Sequence, residues 1–210
     1  MNRIEVIPSI NVRTFVEVRE RIKKVEPYVS WAHLDVTDGV FSKHPTWREP
    51  QDLLNFKTKL NLEVHLMVEN PETIFANWLI GSIKRVIVHL EAVKNLDFII
   101  QKCHEAGVEI GLALNPETPW NKAGPWFKKV DTILVLTVHP GPSGQPVAED
   151  AFKKVASIHK SCPRCIIEFD GGVNPHTHKN AIVAGASILI TGAYIFNSKD
   201  IGFAIEELKK

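Results

Sequence analysis

The chain has 210 residues, of which 44% are hydrophobic and 23% are charged, and this composition is typical of a globular domain rather than a disordered chain. Its 25 Lys and Arg residues nearly balance its 24 Asp and Glu residues, and the net charge of +1 argues against nucleic acid or an anionic membrane as a partner. We therefore expect a single domain over residues 1–210 with no nucleic-acid and no membrane partner.

Short β-branched apolar runs recur along the chain and predict eight strands. The runs span residues 4–10, 31–36, 62–68, 85–90, 109–114, 132–138, 166–169 and 188–191. Amphipathic segments with helical spacing separate them, as in residues 14–25 and 150–159. Strands that alternate with helices run parallel, and eight such units in 210 residues fit a barrel better than an open sheet. The predicted fold is α/β, a single-domain (β/α)8 TIM barrel.

The start of the chain and its cysteines bear on the compartment. Arg3 and Glu5 flank Ile4, so the first residues lack the apolar segment of a signal peptide. No apolar run approaches the ~20 residues of a bilayer crossing. Three cysteines are an odd number, so we expect no disulfide framework and interpret Cys162 and Cys165 as two ordinary thiols near a turn. We expect a cytoplasmic protein.

Polar side chains occur where predicted strands end. His33 and Asp35 share one side of the second strand, while His65 and Asp170 lie near the ends of the third and seventh. Active sites of barrels are built at these carboxyl ends, so the four groups predict a site for one divalent ion, Zn2+, Fe2+, Mn2+ or Co2+. Deeper interior or supporting positions are assigned to Glu63, Glu168, His89 and Glu91.

Small residues follow the last two predicted strands. Gly171-Gly172 and Gly192-Ala193 let backbone N–H groups approach an anion, and these two loops form the usual phosphate site of a barrel. Residues 139–145 have the Gly and Pro content of a mobile lid. Residues 40–50 lack periodicity and are interpreted as a long loop that faces the active site.

Six motifs, taken in chain order, carry a resemblance to a known family. They are Ile7 to Ile10 (IPSI), His33 to Gly39 (HLDVTDG), Val64 to Val68 (VHLMV), Leu114 to Pro119 (LNPETP), Thr137 to Gly141 (TVHPG) and Asp170 to Val173 (DGGV). Over nearly its whole length the chain resembles the ribulose-phosphate 3-epimerases. The resemblance implies a metal-dependent barrel, a homo-oligomer, and a phosphorylated ketose as the small-molecule partner.

The resemblance also implies roles for particular residues. It implies that the ion is held by His33, Asp35, His65 and Asp170, and that Asp35 and Asp170 exchange the substrate proton as catalytic groups. It implies that substrate is contacted by Ser9, His65, Met67, Gly141, Pro142, Ser143, Gly144, Gly171, Gly172, Gly192 and Ala193. This agrees with the chemistry, because inverting a carbon beside a ketone requires a carboxylate on each face and a cation that stabilises the enediolate.

The chain departs from the family pattern at several positions. The family typically walls its site with methionines, and Met67 is retained while Thr37 and Leu136 stand at the other two positions. Residues 42–45 replace a Val-Pro-Asn segment, and Pro142 in the lid cannot donate an N–H to phosphate. The chemistry is therefore expected to be intact, with altered substrate contacts.

The leading hypothesis is a 3-epimerase that interconverts D-ribulose 5-phosphate and D-xylulose 5-phosphate. One alternative is a 3-epimerase for another ketose phosphate, such as D-allulose 6-phosphate, since the changed loop could reshape the pocket. A non-catalytic barrel that binds a sugar phosphate is a second alternative. Related barrel decarboxylases and aldolases are disfavoured because they lack the imidazoles found here at His33 and His65.

Overall fold

The computed structural model describes residues 4–142 and 144–210, and its eight parallel strands close into a barrel in chain order. The strands are β1 (Glu5–Ile10), β2 (Trp31–Thr37), β3 (Asn61–Met67), β4 (Ile83–His89), β5 (Glu109–Leu114), β6 (Thr132–Leu136), β7 (Ile166–Asp170) and β8 (Ile188–Thr191). β8 closes the barrel by pairing with β1, from Glu5 opposite Ile188 to Pro8 opposite Thr191. The predicted (β/α)8 barrel is confirmed.

Among the described residues, α-helices follow five of the strands. They are α1 (Phe15–Val25), α2 (Leu96–Glu105), α3 (Ala151–Ser161), α4 (His178–Ala184), α5 (Ala193–Phe196) and α6 (Ile201–Leu208). The Thr14 side chain accepts a hydrogen bond from the Glu17 backbone N–H and begins α1, which buries Val18, Ile22 and Val25. None of the helices in the described part of the chain is long and apolar enough to cross a membrane.

Three connections differ from the expected strand–helix alternation. Among the described residues, the segments after β2, β3 and β5 contain short 3-10 helices instead of α-helices. These are Pro50–Leu53, Pro71–Thr73, Phe75–Trp78 and Trp120–Trp126. Proline begins two of them and interrupts the last at Pro125, and a residue without an N–H does not sustain an α-helix interior.

The strands separate two apolar regions. Side chains that alternate outward pack against the helices and loops, where Phe75 and Trp78 are among the largest fully buried groups. Those that alternate inward form a second cluster inside the barrel, made of Ile7, Ile87, Ala113, Leu134, Leu136, Ile188 and Ile190. Most of the remaining inward positions of β2, β3, β4 and β7 carry polar groups, which places the chemistry inside the barrel.

The cysteine pair differs from the prediction. After α3 ends at Ser161, the backbone N–H of Cys165 donates to the carbonyl of Cys162 at 3.0 Å and closes a turn. The turn brings the two Cα atoms to 5.4 Å, within the span that a disulfide requires, and the sulfurs are bonded. The interpretation of Cys162 and Cys165 as ordinary thiols is therefore wrong, while Cys103 is free and buried.

Candidate active site

Four donor atoms meet inside the carboxyl end of the barrel, as the sequence predicted. Nε2 of His33 lies 3.2 Å from Oδ1 of Asp35, 3.2 Å from Nδ1 of His65 and 3.8 Å from Oδ2 of Asp170. Nδ1 of His65 lies 3.6 Å from Asp35 Oδ1 and 3.5 Å from Asp170 Oδ2. Ligands about 2.1 Å from a tetrahedral ion are about 3.4 Å apart, so this donor set fits a divalent metal ion.

Hydrogen bonds behind the two imidazoles orient them. Nδ1 of His33 donates to Oε1 of Glu63 at 2.7 Å, which leaves Nε2 free to bind an ion. Nε2 of His65 lies 2.8 Å from Nε2 of His89, whose Nδ1 is in turn 3.2 Å from Oε2 of Glu91. With its proton on Nε2, His65 presents the lone pair of Nδ1 to the same point.

The protonation of the cluster reflects its burial and its hydrogen bonds. Burial favours a lower pKa for His33, but hydrogen bonds to Asp35 and Glu63 outweigh it and raise the pKa well above the usual value. Burial favours a higher pKa for Asp35, and the two imidazoles nevertheless hold it well below its usual range. Burial lowers the pKa of His89 to about 4, so this imidazole is neutral at pH 7. A cation that binds between the four donors therefore displaces protons.

A cavity of about 540 Å³ opens above the donors. The predicted site residues that line it are Ser9, Asp35, Met67, Gly141, Pro142, Gly144, Asp170, Gly171, Gly172, Gly192 and Ala193. His33 and His65 are fully buried beneath the cavity and are not among its lining residues. Ser143 lies outside the described residues. The two carboxylates thus face both the donor cluster and the cavity.

The two oxygens of Asp35 have different surroundings. Oδ1 lies among the four donors, whereas Oδ2 accepts from Ser9 Oγ at 2.9 Å and from Asn11 Nδ2 at 3.3 Å. Asn11 Nδ2 also donates to the carbonyl oxygen of Gly141 at 3.3 Å. The sequence analysis missed Asn11, although it follows Ser9 by two residues and could have been found from strand alternation.

Glycines form the rim of the cavity because backbone segments approach closely there. A β-carbon on Gly172, whose φ is 62°, would lie 2.5 Å from Val147 Cγ2, and one on Gly192 would lie 2.9 Å from the Ser9 carbonyl. Of the described residues that line the cavity, none is a lysine or an arginine. An anion at this rim would be held by backbone N–H groups together with polar side chains. Besides Asn11, polar lining residues that the sequence analysis missed are Asn174, Tyr194, Asn197 and Ser198.

Two of the departures from the family pattern contact each other. The Thr37 hydroxyl donates to the backbone oxygen of His44, and the Thr37 N–H donates to Thr46 Oγ1 at 2.9 Å. Ser42 Oγ donates to the Pro140 carbonyl at 3.0 Å, which joins this loop to the predicted lid. Thr37 therefore anchors the loop that follows β2, while Met67 and Leu136 line the cavity.

Glu168 lies deeper in the barrel and provides a pH-dependent prediction. Burial and the neighbouring Glu63 raise the pKa of this fully buried carboxyl to about 7. Above its ordinary pKa the unfolded chain has lost the proton that the folded protein keeps, so folding stability falls as pH rises toward 7. We expect Glu168→Gln to remove this fall. Between pH 5 and pH 8 the unfolding free energy of the variant should therefore rise, relative to that of the wild type, by on the order of 3 kcal/mol.

Urea unfolding of wild type and Glu168→Gln at both pH values measures the effect. Curves of unfolding free energy against pH that stay parallel for the two proteins would contradict it.

Comparisons with known proteins point to one family. A model of the ribulose-phosphate 3 epimerase family matches residues 5–196. A chloroplastic ribulose-5-phosphate-3-epimerase of Arabidopsis thaliana is 34% identical over 214 residues, covering 98% of this chain and 76% of the relative. A ribulose-phosphate 3-epimerase of Bacillus subtilis (strain 168) is 33% identical over 213 residues and covers 98% of both chains.

A crystal structure of 3-hexulose-6-phosphate synthase resembles this barrel with a TM-score of 0.70 at 13% identity, covering 98% of both chains. At that identity the likeness concerns the fold alone.

Proposed function

The chain belongs to the ribulose-phosphate 3-epimerase family, and from that membership we propose that it is a metal-dependent ketose-phosphate 3-epimerase. The proposed reaction interconverts D-ribulose 5-phosphate and D-xylulose 5-phosphate. The observation that carries the proposal is the pair of carboxylates, Asp35 and Asp170, facing one cavity above a four-donor cluster.

The proposed mechanism moves a proton between the faces of C3. A divalent ion, Zn2+, Fe2+, Mn2+ or Co2+, held by His33, Asp35, His65 and Asp170 would supply the positive charge that stabilises negative charge on the substrate oxygens. Ser9 and Asn11 donate to Asp35 Oδ2 and hold this oxygen beside the cavity. In our proposal Asp35 and Asp170 stand on opposite faces of the substrate, so that one removes the C3 proton and the other returns one.

The rest of the substrate is proposed to be held by the rim. Gly171-Gly172 and Gly192-Ala193 follow β7 and β8 and supply the backbone N–H groups for a phosphate, with Gly141 and Gly144 of the lid beside them. The lid lies next to the loop after β8, since a β-carbon built on Gly144 would be 3.6 Å from the β-carbon of Ala193. Binding energy gained at the phosphate positions C3 between the carboxylates.

This proposal predicts the outcome of NMR assays in D2O with matched ketoses. We expect ribulose 5-phosphate to take up deuterium at C3 and to form its epimer, because both proton transfers pass through groups that exchange with solvent. We expect kcat/KM for unphosphorylated ribulose to be lower by on the order of 10³-fold, because the rim is left unused.

The same assay separates the alternatives. Comparable efficiency on ribulose and ribulose 5-phosphate would show that the glycines serve only as turns. Faster exchange of allulose 6-phosphate would reassign the substrate, and binding of every ketose phosphate without deuterium uptake would indicate a non-catalytic barrel.

A further inference from the structure

A second group of polar residues lies inside the barrel, directly below the metal donors. The register of the strands places His33 of β2 beside Glu63 of β3, and Glu63 beside Arg85 of β4. Glu168 of β7 joins them from the far side of the barrel. Glu63 and Glu168 are fully buried, and Arg85 is 5% exposed. This group was only partly recognised from the sequence, which missed Arg85.

Glu63 divides its two oxygens between different partners. Oε1 accepts from Nδ1 of His33 at 2.7 Å, and Oε2 accepts from Nη1 of Arg85 at 2.5 Å. The same Nη1 donates to Oε1 of Glu168 at 3.0 Å, and Nε donates to Oε2 of Glu109 at 2.8 Å. The guanidinium carbon also lies 4.6 Å from the centre of the Trp31 ring. Arg85 is therefore held firmly, and it holds the Glu63 carboxylate in one orientation.

The group has the composition of a second cation site. His33, Glu63 and Glu168 each offer a donor atom within 4.8 Å of the others. The guanidinium of Arg85 already lies between the two carboxylates and is permanently charged, so a side chain supplies the cation at this position. His33 belongs both to this group and to the four metal donors, so we expect the group to act on the metal site through His33.

We propose that Arg85 is a positioning residue for the metal site. Its guanidinium carries only donors, so it engages an acceptor oxygen of residue 63 and directs the other terminal atom of that side chain toward His33. With glutamate at position 63, this atom is an oxygen that accepts from Nδ1–H, and His33 presents Nε2 to the ion. The inference rests on the metal site of the proposed function.

The substitution Glu63→Gln makes the effect of Arg85 on the orientation of this side chain measurable. In Glu63→Gln, Arg85 keeps the amide oxygen, so the NH2 group faces Nδ1 of His33 and forces that nitrogen to accept. The ring proton then moves to Nε2 and points at the ion. When Arg85→Met is added, the amide is free to turn and accept from Nδ1–H again. The second substitution should therefore repair the first.

The test is a double-mutant cycle of Glu63→Gln and Arg85→Met, made in a Glu168→Gln background so that replacing Arg85 does not leave the Glu168 carboxylate without a partner. Zn2+ affinity is measured by chelator competition. We expect Glu63→Gln to weaken binding by about 10–100-fold and Arg85→Met to recover at least tenfold of that loss, while Arg85→Met alone gives no gain. In 15N spectra of the zinc-loaded proteins, the His33 ring proton should be on Nε2 only in the Glu63→Gln variant that retains Arg85.

The matched control is Glu109→Gln. It alters another acceptor of the Arg85 guanidinium, one that is partly exposed, and should change zinc affinity by no more than about twofold.

An Arg85→Met effect of equal size with and without the Glu63→Gln substitution would reflect charge alone and overturn the proposal. A His33 proton on Nδ1 in Glu63→Gln would overturn it as well, and thermal melts establish that each variant is folded. A background protein that binds no divalent ion overturns the proposed metal site itself, whereas zinc binding without recovery overturns only the role of Arg85.

Discussion

Asp35→Asn and Asp170→Asn are each expected to lower kcat for epimerisation by about 10²–10⁴-fold, because inversion at C3 requires a proton transfer on each face of the substrate. A variant that retains one base and its metal ion can still remove and return the C3 proton on that base's own face. Each variant should therefore exchange solvent deuterium into only one epimer, and Asp35→Asn and Asp170→Asn should favour opposite epimers. NMR of ribulose 5-phosphate and xylulose 5-phosphate in D2O measures both effects.

Metal content must be measured alongside these rates, because both carboxylates also belong to the four-donor cluster. Asp97→Asn is a suitable control, since Asp97 is exposed and pairs only with Lys129 at 2.8 Å among its described contacts. If metal-loaded Asp170→Asn interconverts the epimers at a rate near wild type, Asp170 is only a ligand and the two-base mechanism is wrong.

Much of this site could be predicted because strand alternation determines which side of a strand a residue faces, and barrel topology determines which strand ends meet. A period of two places His33 and Asp35 on one side of β2, and the barrel brings the carboxyl ends of β3 and β7 to the same place. The two glycine pairs reach the cavity rim for the same reason. These features depend on local pattern and on a fold that the pattern itself indicates.

Two of the residues that escaped prediction have partners far away in the chain. Arg85 is an unusual residue for a strand interior, and its role becomes visible only when Glu63 and Glu168 surround it. Asn11 lies just beyond an apolar run, and its contact with Gly141 spans 130 positions. The disulfide between Cys162 and Cys165 depended on a turn geometry that the spacing alone does not specify.

Removal of the metal ion should abolish turnover, and the effect should be reversible. Chelation leaves the substrate without the cation that stabilises its developing negative charge, a contribution of several kcal/mol, so we expect a loss on the order of 10³-fold or more. Adding back Zn2+, Fe2+, Mn2+ or Co2+ in turn should restore activity and rank the four ions. Metal content by mass spectrometry and rates on ribulose 5-phosphate are measured on the same samples.

His65→Ala should reproduce the chelated state by deleting one of the four donors, and it should weaken Zn2+ binding measured by chelator competition. His104→Ala provides the control, because His104 is an exposed imidazole paired with Asp131 at 3.2 Å and should leave both affinity and turnover unchanged. His65 is the more informative of the two imidazoles to remove, since its other nitrogen contacts the neutral His89, whereas deleting His33 would also leave the buried Glu63 without its imidazole partner. A preparation that is rigorously free of metal and still epimerises at the full rate would show that the four donors serve another purpose.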